Sequence, residues 1–255
     1  MSLQAPSSRE VEKIRLALGV YQDGSGMLKD GDKTLPGWRD FERTVALVFS
    51  GEAQEDKSIF DVLSPANVAG ERVGISCKMR REWDRIARTG RVYFELSNSA
   101  GSFWERLNSK KINTKNYTRK PEAVGHELLS LVEEWHQEVS LERGGAVNLK
   151  QSFYLTLSWS SQGVYQLFQF PLALPTGRSL KWYFPSKRCL RGDDALGTII
   201  EWYGESGGQL KYYPLAKNAA WKSKPFGLQP IPVGQGGLVG RIKGYFPLEY
   251  KQVWS

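Results

Sequence analysis

The stretch Ser58-Ile59-Phe60-Asp61-Val62-Leu63-Ser64-Pro65, followed after a short connection by Val73-Gly74-Ile75-Ser76-Cys77-Lys78-Met79-Arg80, decides how the chain is read. Both segments are rich in β-branched or aromatic residues and are bounded by Pro or Gly, the pattern of strands. Alternate residues of a strand share a face. Ser76 and Lys78 are therefore expected on one side, with Cys77 in the opposite layer. Asp61 is expected opposite Phe60 and Val62. If the two strands pair, an acid and a lysine converge at one end of a small sheet. A carboxylate that holds Mg²⁺ and a lysine that stabilises or deprotonates an attacking water are the parts needed to hydrolyse a phosphodiester.

Asp61 followed by Ser76-Cys77-Lys78 resembles the PD-(D/E)xK nuclease core of many type II restriction endonucleases. It departs from that pattern in two places. Phe60 stands where a proline precedes the acid, and Ser76 stands where Asp or Glu lies two before the lysine. A subgroup of restriction enzymes shows a similar Ser-x-Lys and takes its second acid from another place in the sequence. The resemblance implies a mixed α/β (α+β) chain with a restriction-endonuclease-like core, a small mixed sheet flanked by helices. It implies Mg²⁺-dependent, sequence-specific hydrolysis of double-stranded DNA. Asp61 and a second acid would hold the metal, the main-chain carbonyl of Cys77 would be a further ligand, and Lys78 would act on the attacking water. Glu95, on the strand expected after the lysine strand, is the acid expected to stand in for the one missing at Ser76. Glu42, on a helix expected beside the sheet, is a helper near the metal by the same resemblance. Glu55 and Asp56 are weaker acidic candidates. Family members commonly act as homodimers on palindromic sites, with a matching methyltransferase protecting host DNA.

A chain of 255 residues has room for one elaborated domain or two tightly packed ones. Its net charge of +8 favours a polyanionic partner, through phosphate neutralisation and counterion release. Two cysteines, Cys77 and Cys189, form no disulfide framework, which points to a reducing cytoplasm. The N-terminus lacks an apolar signal core and no segment is long enough to span a bilayer, so no membrane partner is expected. His126 and His136 are the only histidines, and without partner ligands they exclude a zinc finger or a histidine-metal nuclease. They read as surface residues.

Helices are expected over 9–18, capped by Ser8, then over 36–49, 80–88, 102–107 and, opened by Pro121, 121–141. The last carries Leu128, Val132, Trp135 and Val139 as its apolar stripe, for internal or dimer packing. Residues 91–98 read as a strand. The loop at 108–120, with Lys110 and Lys111, reads as a DNA clamp. From Ser152 the pattern turns to β, with hairpins at 153–170 and 198–213 and a strand at 180–184. The tail from Ala219 reads as irregular. This divides the chain into an N-terminal half with the nuclease core (1–150) and a β-rich, DNA-contacting half (151–255), packed as one unit. Base readout is expected at Ser186–Arg191 and Lys217–Lys222, from Lys187, Arg188, Arg191, Lys217 and Lys222. A non-catalytic basic DNA- or RNA-binding protein fits the charge as well but does not need the Asp61/Lys78 pair. A repair nuclease on the same core is a further alternative.

Overall fold

The structure, a computed structural model, describes residues 4–31, 33–54, 59–205, 207–232 and 236–254. In chain order its elements are α1 (Ser8–Val20), β1 (Leu28–Asp30), β2 (Lys33–Leu35), α2 (Trp38–Val48), β3 (Glu52–Ala53), β4 (Val62–Leu63), β5 (Gly74–Arg80), α3 (Trp83–Thr89), β6 (Phe94–Ser97), α4 (Ala100–Ser109) and α5 (Pro121–Glu138). Then follow β7 (Phe153–Trp159), β8 (Tyr165–Pro171), β9 (Lys181–Ser186), β10 (Cys189–Asp194), β11 (Gly197–Tyr203), β12 (Gln209–Tyr212), β13 (Trp221–Lys222), α6 (Gly237–Tyr245) and α7 (Pro247–Trp254). No helix of the described residues is long and apolar enough to cross a membrane.

Two sheets organise this mixed α/β fold. The first has the order β13-β8-β7-β5-β4-β3, with β5 and β7 parallel and the other neighbours antiparallel. A parallel pair needs a long crossover. Here residues 81–152 supply it, and they carry α3, β6, α4 and α5 across one face. The second sheet, β6-β12-β11-β10-β9, is antiparallel throughout. On one side of the first sheet, Ile14 and Leu18 of α1 and Phe41 and Val45 of α2 pack on Ile75, Cys77, Leu155 and Leu157. On the other, Phe103, Leu107, Leu128 and Val132 of α4 and α5 fill the space between Tyr154 and Phe168 of the first sheet and Phe94, Ile200, Trp202 and Leu210 of the second.

Local chemistry sets the helix starts. Ser7, not Ser8, caps α1: its hydroxyl accepts from the Glu10 amide and the Glu10 carboxylate accepts from the Ser7 amide, a reciprocal capping box. The buried Asp40 carboxylate accepts from the amides of Gly37 (2.8 Å) and Met27 (2.9 Å), which fixes the start of α2 against the β1–β2 hairpin.

Several expectations are corrected. The strand expected over 58–65 shrinks to Val62–Leu63, and Ser58, Glu55 and Asp56 lie outside the described residues. The segment 186–191 is the turn and start of the β9–β10 hairpin. The tail ends in α6 and α7 instead of irregular chain. His136 is buried, stacked on Phe60 at 5.7 Å and edge-on to Tyr154, so it is no surface residue. The parts on either side of residue 150, expected to pack as one unit, share both sheets: β5 pairs with β7 and β6 with β12.

Candidate active site

Asp61 stands one residue ahead of β4, where the chain enters the sheet. Its amide donates to the Ile75 carbonyl and its carbonyl accepts from the Gln54 amide, so the backbone is fixed on both sides. Its Oδ2 accepts from the Cys77 amide at 2.7 Å and from Ser76 Oγ at 3.2 Å. Lys78 Nζ lies 3.6 Å from the same oxygen. Hydrogen bonds to an ionised carboxylate are about twice as strong as neutral ones, so these contacts set its direction as well as its position. Ser76, at the place where the resemblance expects an acid, holds Asp61 instead of adding a charge. Sequence reasoning missed that role. Asp61 and Lys78 keep side-chain exposures of 26% and 19%, enough to meet a substrate at the surface.

Glu42 on α2 is half-buried beside this pair. Its carboxyl is pushed up to about 7, first by burial and then by the charge of Asp61, while Lys78, Arg39 and Arg43 pull the other way. The Cys77 side chain lies in the apolar core under α2, and burial, then Asp61 and Glu42, raise its thiol well above the ordinary value. Its side chain therefore points away from Asp61 into the core, while its main-chain amide meets Asp61. His136, behind Phe60, is held down to about 4 by burial and then by the charge of Lys78.

Glu95 goes elsewhere. The strand that returns to β5 after the crossover is β7, whereas β6 pairs with β12 in the second sheet. There Glu95 Oε2 accepts from Arg80 at 2.6 Å. Among the described residues no three His, Cys, Asp or Glu side chains gather closely enough to hold a metal ion. The carboxylates placed together are Asp61 and Glu42. That set still suits Mg²⁺, which keeps several waters and is bound through one or two carboxylates plus substrate phosphate oxygens.

The basic residues divide into groups. Lys187 and Arg188 are exposed at the β9–β10 turn. The Tyr117 hydroxyl donates to the Lys187 carbonyl, which draws the loop after Lys110 and Lys111 to that turn. Lys110 and Lys111 are exposed, with Lys110 3.9 Å from Glu127. Lys217 lies in a short 3-10 turn and Lys222 on the edge strand β13, both exposed. Arg191 is engaged: its Nε donates to Glu201 at 2.9 Å. Compared with family models, curated proteins and solved structures, the chain matches none.

Proposed function

We propose that the protein is a Mg²⁺-dependent endonuclease acting on double-stranded DNA, with the site specificity of a type II restriction enzyme. The observation that carries this reading is the Asp61–Lys78 contact of 3.6 Å, with Asp61 held by a main-chain amide and a serine hydroxyl. A pure binding module needs no such arrangement, because phosphate contacts tolerate loose geometry.

Asp61, Glu42 and the Cys77 main chain would hold the ion. When bound, it supplies charge stabilisation at the scissile phosphate and lowers the pKa of a bound water. The chain's own residues do the rest. Ser76 and the Cys77 amide keep the Asp61 carboxylate aimed outward. Lys78 places a cation where negative charge develops on the phosphoryl oxygens, and it orients the attacking water by hydrogen bonding. A homodimer on a palindromic site, with a protecting methyltransferase in the same host, belongs to this reading.

The test is a plasmid digest in Mg²⁺ beside a thermal melt with and without the ion. Discrete fragments and a Mg²⁺-dependent rise in melting temperature are expected. Asp61→Ala should lose both while still binding duplex DNA in Ca²⁺. A smear of products points to a repair-type nuclease. Intact plasmid together with tight duplex binding replaces the enzyme reading with that of a binding protein.

A further inference from the structure

The second sheet turns one face to the core and the other to an open cleft of about 600 Å³. Cross-strand register puts Glu95, Lys211, Glu201 and Arg191 in one row across β6, β12, β11 and β10. The residues that alternate with them, Phe94, Leu210, Tyr212, Ile200, Trp202 and Leu190, are buried. Arg80, Arg81, Glu82 and Arg85, from the end of β5 into α3, form the facing wall, and Tyr93, Tyr203 and Tyr213 lie between.

The carboxylates of the cleft are engaged. Glu95 accepts from Arg80 at 2.6 Å, and Glu82 lies 3.6 Å from Arg85. The largely buried Glu201 accepts from Arg191 Nε at 2.9 Å and from the hydroxyls of Tyr213 (2.6 Å) and Tyr203 (3.1 Å). Two cations have no carboxylate within ion-pair distance among the described residues. Lys211 lies over the rings of Tyr203 (4.2 Å) and Tyr93 (5.6 Å), and Arg81 over Trp159 (5.4 Å). The aromatic faces are also occupied: Tyr93 stacks on Tyr213 at 5.2 Å, and Arg85 lies over Tyr213. The cleft therefore offers charged N–H donors in preference to bare ring faces, which suits a phosphate better than a stacked base.

We propose that this cleft holds a backbone phosphate of the substrate strand, beside the phosphodiester at Asp61 and Lys78. The inference rests on the nucleic-acid reading above and extends it to a second contact site. Continuity supports it: Arg80 stands two residues beyond Lys78 on the same face of β5, about 7 Å along the strand by the rise per residue. A nucleic-acid strand lying over Lys78 meets the cleft rim within one nucleotide step.

Fluorescence anisotropy of a labelled duplex in Ca²⁺, titrated from about 50 to 200 mM salt, tests this without requiring cleavage. The double variant Lys211→Ala with Arg81→Ala should bind about tenfold more weakly or worse. Its slope of log affinity against log salt should fall by about one to two. Lys211→Arg should bind as the wild type, and the double variant Arg9→Ala with Lys13→Ala on α1 controls for the loss of two charges. Circular dichroism establishes that the variants are folded. A folded cleft variant that binds as tightly as the Arg9→Ala/Lys13→Ala control overturns the inference alone. So does calorimetry showing tight binding of dAMP to the wild type while the cleft variant keeps its duplex affinity, since the cleft then serves a free nucleotide. A wild-type protein that binds no duplex overturns both this inference and the reading beneath it.

Discussion

At the scale of single residues, Glu42 couples the site to stability. Its carboxyl is raised to about 7 in the folded chain from 4.5. Below pH 4.5 both states hold the proton and folding is unaffected. Between those values the unfolded chain releases it and the folded chain keeps it, so stability falls as pH rises to about 7 and stays lower above. Discounted for partial exposure, the cost is on the order of 1–2 kcal/mol. Glu42→Gln should therefore unfold at higher urea than the wild type at pH 8 and at nearly the same urea at pH 4, while losing Mg²⁺-dependent cleavage. Equal midpoints at pH 8 would mean that burial and Asp61 do not raise the Glu42 carboxyl. The Asp61–Lys78 contact was legible in the sequence because strand alternation fixes which side chains share a face. The place of Glu95 was not, because chain order does not say which sheet a strand joins. His136 had a signal that went unread: it follows Leu128 and Val132 at a spacing of four, on the buried face of α5.

Between elements, packing overrides propensity where α5 crosses the second sheet. Gly125 lies inside α5, where glycine costs about 1 kcal/mol relative to alanine. Yet a Cβ at that position would stand 2.3 Å from the Trp182 ring of β9. Overpacking a filled site typically costs about 1–3 kcal/mol, and a contact this close needs the ring or the helix to shift. Gly125→Ala should lower the urea midpoint, a net loss of up to about 2 kcal/mol once the gain in helix propensity is included. A stabilised variant would mean that α5 and β9 pack less closely than described. The same contest explains which elements could be read in advance. α2, α5 and the β7–β8 hairpin carry clear periods of 3.6 and 2, and they form with ends displaced by a few residues. α6 holds Gly237, Gly240 and Gly244 in nine residues, so local propensity argued for irregular chain.

For the whole molecule, the change in composition near residue 150 is real, but it does not mark a fold boundary. β7 lies between β5 and β8 in the first sheet, so a chain ending at residue 150 leaves β5 with no partner on its core side. It also uncovers the apolar face that Leu155 and Leu157, both fully buried, share with α1 and α2. In the other direction, residues 151–255 lose β6 from the edge of the second sheet, together with α4 and α5, which fill the space between the sheets. An exposed edge flanked by uncovered apolar surface favours association over folding. The candidate site shares this dependence, since Lys78 stands in register with Thr156 of β7. Expressed separately, the fragments 1–150 and 151–255 should each lack a cooperative thermal transition and should not cleave DNA in Mg²⁺. A sharp transition from fragment 1–150 alone would show that this half folds by itself and would free Asp61 and Lys78 from the second half of the chain.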